Sequence, residues 1–313
     1  MALSAVFVVF AQVLVPILIV VGSGYALQRG IGLDIGPINR LTIYLLNPAL
    51  IFTLLVQVRV ESSETVRIVA FMVLFVLAIG AITWLSSRAL GLDAAATAAM
   101  LLCAMFMNAG NYGLPVARFA FGQEGFERAA LFFAVQVILA QTLAIYIAGA
   151  GHGDLREGLA RLLRMPPLYA VLTALAVRFG GMRPALMGDG VLGDVFRGVA
   201  LVGDATVPIL LVILGLQLAE IEGIDQRRLV ALATGLRLVL SVPIALLLAG
   251  SLGLDELSTK LAVILASMPT AVNMTIFAIE FDVRPRFVSS VVTTSTVASV
   301  VTLTVLLAFV GVM

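Results

Sequence analysis

A succession of long apolar runs is the feature that most limits what this chain can fold into. Each run is close to the length of about 20 residues that a helix needs to cross a bilayer. Hydrophobic residues make up 61% of the chain and charged residues 12%, whereas about a quarter of the residues in a soluble domain are charged. We therefore predict an all-α integral membrane protein in contact with the lipid bilayer. The ten predicted transmembrane helices cover residues 5–27, 39–58, 66–90, 92–121, 128–150, 166–179, 196–219, 229–252, 254–281 and 285–312.

The most polar connection divides the chain into two halves of five predicted spans each. Proline recurs at similar offsets in the two halves, since Pro48 corresponds to Pro208 and Pro115 corresponds to Pro269. An odd number of spans reverses the direction in which the next half enters the membrane. The pattern therefore predicts an inverted repeat with a pseudo-two-fold axis in the membrane plane. The predicted units are the first five-helix repeat, the connecting loop and the second five-helix repeat, at 1–150, 151–164 and 165–313.

Two of the predicted spans are interrupted by residues that a lipid-facing helix does not tolerate. In the fourth span, residues 107–115 contain two Asn, two Gly and one Pro. In the ninth span, the segment 267–273 contains Pro269 and ends at Asn273. Gly costs about 1 kcal/mol and Pro about 3 kcal/mol in a helix interior. Interrupted segments in corresponding positions of two halves are typical of a substrate site between discontinuous helices.

The residues that the chain lacks exclude several classes of function. The net charge of +1 gives no reason to expect binding to nucleic acid. The single Cys103 excludes an intramolecular disulfide, and the single His152 excludes a metal site built on a His pair. No phosphate-binding G-x-x-x-x-G-K-[ST] loop is present. The predicted spans hold no nucleophile beside a base, so we expect neither an enzyme nor a bound cofactor.

The distribution of basic residues predicts the orientation in the membrane. With the N-terminus outside, ten basic residues fall in the inner loops and eight in the outer loops, which agrees with the positive-inside rule. We therefore expect both termini outside. Lys260 is the only Lys beside many Arg, as in proteins from GC-rich bacterial genomes, and we expect a multi-pass protein of the bacterial inner membrane.

The two breaks carry the residues that suit an anion. A break exposes backbone groups that must be buried in protein or line a wet cavity, and the N-terminus of a half-helix attracts a carboxylate. Asn108, Asn111 and Asn273 add neutral donors and acceptors. We predict that a small organic anion binds between the breaks, and the alternative is that these Asn only satisfy freed backbone groups. Asn47 and Gln136 either face the same cavity or form hydrogen bonds between helices.

Two ionisable residues are candidates for coupling transport to an ion. Asp204 is either a carboxylate for proton coupling or a solvated residue at the end of its span. Arg237 lies deep in the eighth span, where Arg costs about 2.5 kcal/mol or more in hydrocarbon, so it should face the bundle. There it either pairs with a carboxylate or offsets substrate charge. A hydroxyl cluster at 293–296 either allows close helix packing or supplies oxygens for sodium.

Three segments resemble the signature segments of the auxin efflux carrier family, and the bacterial members are the nearest likeness because a long central loop is missing. The segments are LNPALIF at 46–52, NAGNYGLP at 108–115 and MPTAVN at 268–273. The resemblance implies the ten-helix fold of the sodium–bile acid symporters, in which broken helices 4 and 9 cross. It also implies a scaffold of helices 1, 2, 6 and 7, with a transport domain of helices 3–5 and 8–10 that moves as an elevator. Substrates in the family include auxin, malate and malonate, and the signature segments add four candidate contacts: Tyr112, Pro115, Pro269 and Thr270.

The predicted function is therefore secondary transport of a small organic anion, auxin-like or a mono- or dicarboxylate. A homodimer through the scaffold helices is a further expectation. The alternative is a membrane ligand sensor or a channel-like facilitator on the same fold. Saturable flux into proteoliposomes separates a carrier from a sensor. Substrate identity, direction and coupling by protons or sodium stay open at this point.

Overall fold

The computed structural model of the protein describes residues 3–148, 163–220 and 223–310. These ranges are almost entirely helical. The helices in chain order are α1 (Val6–Ile31), α2 (Ile35–Gln57), α3 (Ser62–Ala89), α4 (Ala94–Met105), α5 (Ala109–Ala148), α6 (Pro166–Phe179), α7 (Arg183–Met187), α8 (Val191–Ala219), α9 (Arg227–Leu252), α10 (Glu256–Ala266), α11 (Asn273–Glu280) and α12 (Pro285–Val310).

Seven of the helices in the described ranges are long and apolar enough to cross a membrane. They are α1, α2, α3, α5, α8, α9 and α12, and α4 and α6 are shorter apolar helices. Large apolar side chains also point outward, among them Ile19, Phe179, Leu247 and Phe309. An apolar exterior of this kind is expected where helices face lipid tails. The fold is that of a multi-pass helical membrane protein, while ten spans and the inverted repeat stay predictions.

Several predicted boundaries agree with the helices. The predicted sixth span coincides with α6, and the predicted ninth span corresponds to α10 and α11 on either side of a break. The predicted turn at 122–127 is shorter than expected. Only Gly122 leaves the helical conformation, with φ of +66°, because Gly reaches this left-handed region without the strain of a side chain. Most of the predicted connecting loop, including His152, lies outside the described residues.

Wide π-helical turns occur just before prolines within the helices. They cover Phe10–Leu14 before Pro16, Thr42–Leu46 before Pro48, Ala109–Gly113 before Pro115 and Leu236–Leu240 before Pro243. Proline has no backbone N–H group and its ring collides with the preceding turn, so a turn closed by an i→i+5 bond accommodates it. The helices therefore accommodate Pro16 and Pro48 through widened turns rather than through breaks.

The helices pack most extensively within two sets. One set consists of α1, α2, α6 and α8, and the other includes α3, α4, α9, α10 and α12. The helix α5 contacts both sets. The functional division into a scaffold and a mobile transport domain concerns motion and stays a prediction.

The helices α1 and α8 approach each other closely. A Cβ atom added at Gly24 would lie 2.3 Å from the Val212 carbonyl oxygen, and one added at Gly215 would lie 2.0 Å from the Val21 carbonyl oxygen. The two backbones therefore meet through paired glycines, as small residues allow in membrane helices.

A charged cluster ties α3, α5 and α10 together at one end of the bundle. The guanidinium of Arg128 donates to both oxygens of Asp255, at 2.6 and 2.5 Å, and to Glu124 at 3.1 Å. Asp255 also caps α10 by accepting from the Ser258 N–H, and its own N–H donates to Glu64. Partial burial raises the pKa of the Asp255 carboxyl, but the Ser258 N–H and the charge of Arg128 outweigh this effect and hold the pKa below its usual value of 3.8.

Acidification is expected to remove the stabilisation that Asp255 provides. A carboxyl whose pKa is lower in the folded state stabilises the fold above its unfolded pKa, and this contribution disappears as the pH falls through the folded pKa. Wild type should therefore melt at a higher temperature than Asp255→Asn at pH 7, and the difference should shrink towards pH 3. Thermal unfolding of both purified proteins across this range measures it. A difference that stays constant with pH would contradict this account of the cluster.

Candidate binding site

The two breaks lie against each other and satisfy each other's backbone groups. The Asn108 N–H donates to the Pro269 carbonyl at 2.8 Å, and the Ala271 N–H donates to the Phe106 carbonyl at 2.9 Å. The two segments thus form a short antiparallel bridge between Met107 and Thr270. We call Phe106–Asn108 and Pro269–Ala271 together the junction. The pairing supplies the partners that freed backbone groups need at membrane depth.

Four helix ends meet at the junction. Helices α4 and α10 end there with Met105 and Ala266, and helices α5 and α11 begin there with Ala109 and Asn273. The side chain of Asn108 caps α5 by accepting from the Asn111 N–H at 3.2 Å, a common role for Asn at this position. The start of α11 has no side-chain cap. The junction therefore combines two positive helix N-termini with two negative helix C-termini.

A cavity of about 90 Å³ lies at the two N-termini. Its lining includes the predicted residues Asn47, Asn108, Asn111, Gln136 and Asn273. Asn108 and Gln136 are buried, Asn47 and Asn111 are half-buried, and Asn273 is exposed. Within the described part of the chain, every residue that lines the cavity is uncharged. The structure thus brings six amide side chains together around the starts of α5 and α11, the five predicted ones and Gln141.

Three of these amides keep an unused hydrogen-bonding atom. Within the described ranges, the Asn47 Oδ1, the Asn108 Nδ2 and the Gln136 Oε1 are buried without a partner. The Gln136 Nε2 lies 3.5 Å from the Met107 carbonyl oxygen, a long hydrogen bond. A buried polar atom left unpaired costs about 1–3 kcal/mol. An amide offers both a donor and an acceptor, so a bound polar ligand or water can complete these groups.

The other residues predicted from the signature segments lie within the junction or just after it in α5, and not in the cavity. Tyr112, Pro115, Pro269 and Thr270 are buried, and they do not line the cavity. The Thr270 hydroxyl donates to the Cys103 carbonyl at 2.7 Å, and the Thr270 N–H donates to the Ser295 hydroxyl at 3.1 Å. These bonds fix the junction to α4 and α12.

The two candidates for ion coupling lie away from the cavity. Asp204 is exposed within α8 and does not line the cavity. Arg237 is completely buried, as predicted for a charge that must avoid lipid. Its hydrogen bonds go to the carbonyl groups of Ala104 and Ala266. Among the described residues no carboxylate lies within ion-pairing distance of it, so the expected pairing with an acid is replaced by contacts with two helix ends.

Three of the four hydroxyls in the cluster of α12 form hydrogen bonds within their own helix, while the Thr294 Oγ1 is buried without a partner among the described residues. Thr293 donates to the Ser289 carbonyl, and Ser295 and Thr296 donate to the Val292 carbonyl. Hydroxyls bonded in this way leave a smooth helix surface for packing, and Ser295 also accepts the bond that anchors Thr270.

Some residues that line the cavity are not among the predicted site residues. Side chains five residues apart do not share one face of an α-helix, so the sequence by itself does not group Gln141 with Gln136. Gln141 lies in the π-helical turn Ala140–Ala144, where a wider turn brings such side chains closer to one face. Met165 and Pro167 at the start of α6 also line the cavity, and no polar signal marks them in the sequence.

Together, the helices and the site define a multi-pass helical membrane protein that keeps a polar cavity at the joined breaks of two membrane segments. The chain belongs to the Membrane transport protein family, the family of the auxin efflux carriers, whose sequence pattern it matches over residues 9–155 and 154–307. The predicted resemblance is thereby confirmed.

Two archaeal proteins show the same relationship along most of their length. A protein from Methanothermobacter thermautotrophicus described as an uncharacterized transporter is 29% identical over 303 residues, which cover 95% of this chain and 97% of the relative. An uncharacterized transporter from Methanocaldococcus jannaschii is 23% identical over 265 residues, covering 81% and 82%. The family and these relatives support a membrane transport protein rather than an enzyme.

Proposed function

We propose that the protein is a secondary transporter that binds a small organic anion in the cavity at the junction. The observation that carries this proposal is the convergence of two half-helix N-termini and six amide side chains on one cavity. Helix N-termini carry partial positive charge and free N–H groups that favour a carboxylate. Amide groups orient such a ligand through hydrogen bonds.

The neutral lining suits a carrier. Among the described residues no Arg or Lys lines the cavity, so a bound carboxylate is held there by dipoles and neutral donors. A buried salt bridge would have to be broken each time the substrate leaves, whereas hydrogen bonds exchange readily with water. The site is therefore built for binding that can be reversed on the other side of the membrane.

The volume of the cavity favours short acids. The cavity has a volume of about 90 Å³, about three times the roughly 30 Å³ that one water molecule occupies in the liquid. A mono- or dicarboxylate of three or four carbons fits this space better than an indole-containing acid. Met107, Phe133 and Phe277 supply apolar walls for the carbon chain.

The position of the cavity supports alternating access. Asn47 of α2 and Met165 before α6 belong to one helix set, while α11 contacts the other set through α12. Relative movement of the two sets would carry a bound anion between sides. We therefore propose that the broken helices cross at the junction within an inverted repeat of ten spans. The first helix set would act as the scaffold and the second as the elevator-type transport domain. We also propose that both termini lie outside the membrane and that two copies of the chain form a homodimer through their scaffold helices.

Removal of the cavity amides is expected to weaken anion binding. Asn111→Ala and Asn273→Ala each delete a hydrogen bond to a charged ligand, which is worth about 1.5–3 kcal/mol, or roughly 10- to 100-fold in Kd. A thermal-shift screen of mono- and dicarboxylates on the purified protein identifies the ligand, and the same screen on the variants gives the loss. Asn39→Ala is the matched control, because Asn39 lies outside this cavity.

Flux measurements then separate the alternatives. A carrier gives saturable uptake into proteoliposomes that unlabelled substrate competes away. A ligand sensor gives a thermal shift without flux, and a channel-like facilitator gives flux that does not saturate. If no mono- or dicarboxylate stabilises the wild-type protein, the anion proposal fails.

A further inference from the structure

The buried Arg237 is a feature that the anion site does not explain. Its side chain is completely buried, yet its charge faces no carboxylate in the described part of the chain. A buried charge is costly unless its surroundings compensate it. Its position therefore points to a specific electrostatic role at the junction.

The surroundings of the guanidinium are the negative ends of two half-helices. The Arg237 Nη1 donates to the Ala104 carbonyl at 2.7 Å, and the Nη2 donates to the Ala266 carbonyl. Ala104 lies one residue before the end of α4, and Ala266 is the last residue of α10. The last carbonyl groups of a helix lack partners within the helix and carry partial negative charge. One side chain thus binds both C-terminal ends.

The ring of Phe75 is a third group beside the Arg237 guanidinium. The Arg237 Cζ lies 5.5 Å from the centre of this ring, within the range of a cation–π contact. Phe75 is itself completely buried in α3. Two helix ends and an aromatic face therefore surround the charge, while the Arg237 Nε is buried without a hydrogen-bond partner in the described part of the chain.

Freed carbonyls and helix C-termini in broken membrane helices are the groups that hold a coupling cation. We propose that Arg237 is a tethered cation, a positioning residue that joins the ends of α4 and α10 and occupies the place where the junction would otherwise bind a dissolved monovalent cation. The junction then has a permanent positive charge beside the C-termini and an open anion cavity beside the N-termini. Only one consequence of this role rests on the proposed function: if the protein transports an organic anion, binding of that anion should not require sodium.

The test replaces Arg237 by an uncharged residue and supplies a dissolved cation in the buffer. Thermal unfolding of purified wild type, Arg237→Ala and Arg237→Lys is measured without any organic anion in choline, sodium or guanidinium chloride, at equal ionic strength and at concentrations too low to denature. Wild type should melt at the same temperature in all three salts. Arg237→Ala should melt lower and regain about 2 °C or more in guanidinium or sodium once the ion is in tenfold excess over its Kd. Arg237→Lys should melt below wild type, because one ammonium group does not reproduce the two-pronged contact, but sodium and guanidinium should not stabilise it selectively, because its charge is still tethered.

Arg88→Ala is the control for a general effect of salt. Arg88 is exposed in α3, so its removal deletes one positive charge without opening a buried gap, and no salt should rescue this variant selectively. If sodium stabilises the wild type over choline, a dissolved cation binds while Arg237 is in place and the proposal is overturned. The same holds if folded Arg237→Ala responds to none of the cations.

Two further measurements keep the outcome decisive. If Arg237→Ala does not fold, Arg237→Gln is measured instead, and we expect the same result. The melting temperatures of the wild type in sodium and in choline then still test whether a dissolved cation binds. Uptake of the anion by wild type should also be unchanged when choline replaces sodium. Only this last measurement depends on the proposed function, so a protein that moves no organic anion would leave the thermal results to decide on Arg237 alone.

Discussion

Asn273→Asp is expected to weaken the binding of an organic anion by about 100-fold. The change keeps the size of the side chain and adds one negative charge at the start of α11, beside the cavity. Two like charges about 5 Å apart repel by roughly 3 kcal/mol at an effective dielectric constant of about 20, which corresponds to about 100-fold in Kd. Asn273 is exposed, so the new carboxylate stays ionised and the fold is retained. The shift in melting temperature caused by the best acid from the screen measures this loss.

The sign of the effect makes this substitution decisive. Asn273→Asp would strengthen the binding of a cation and would have a small effect on a neutral ligand. Asn39→Asp is the matched control, because it adds the same charge at a position outside the cavity. Unchanged or tighter anion binding in Asn273→Asp, with normal behaviour of the control, would rule out an anion at the start of α11.

The second large effect is expected where α1 meets α8. Gly24→Ala and Gly215→Ala each place a Cβ atom within 2.3 Å of a backbone carbonyl oxygen on the facing helix. Backbone atoms cannot rotate away as a side chain can, so the helices must separate. Overpacking of this kind costs about 1–3 kcal/mol, and each kcal/mol lowers the melting temperature by about 2–4 °C in a chain of 150–250 residues. Thermal unfolding of the purified variants measures the cost.

Gly22→Ala provides the comparison within the same helix. A Cβ atom at Gly22 would meet nothing within 4 Å, so this substitution is expected to be neutral or to stabilise by up to about 1 kcal/mol through helix propensity. Equal destabilisation by Gly22→Ala and Gly24→Ala would show that helix propensity, rather than the contact with α8, sets the effect.

Much of the fold follows from patterns along the chain. Apolar runs of about 20 residues can satisfy their backbone groups in lipid only as helices, and nearly every predicted span contains an observed helix or half-helix. The breaks were visible because Gly and Pro disfavour a helix wherever they occur in its interior. Gly122 was harder to place, since a single left-handed residue is enough to turn the chain between helical segments.

The site was predicted in part for the same reason. Asn108, Asn111 and Asn273 stand beside the breaks in the sequence, so any pairing of the breaks brings them close together. Gln141 was missed because its orientation depends on a local π-helical turn. Asp204 was selected from hydropathy alone, and its side chain is exposed within α8.

The sequence by itself determined the membrane environment, the helical spans and the two breaks, because each depends on the chemistry of neighbouring residues. The tertiary structure decided which ends of the broken helices face the cavity and which face Arg237. The guanidinium contacts carbonyl groups that are 133 and 29 residues away along the chain. Backbone carbonyls are the same in every residue, so no sequence pattern marks them as partners. Only the packing of α4, α9 and α10 against one another places them around one buried charge.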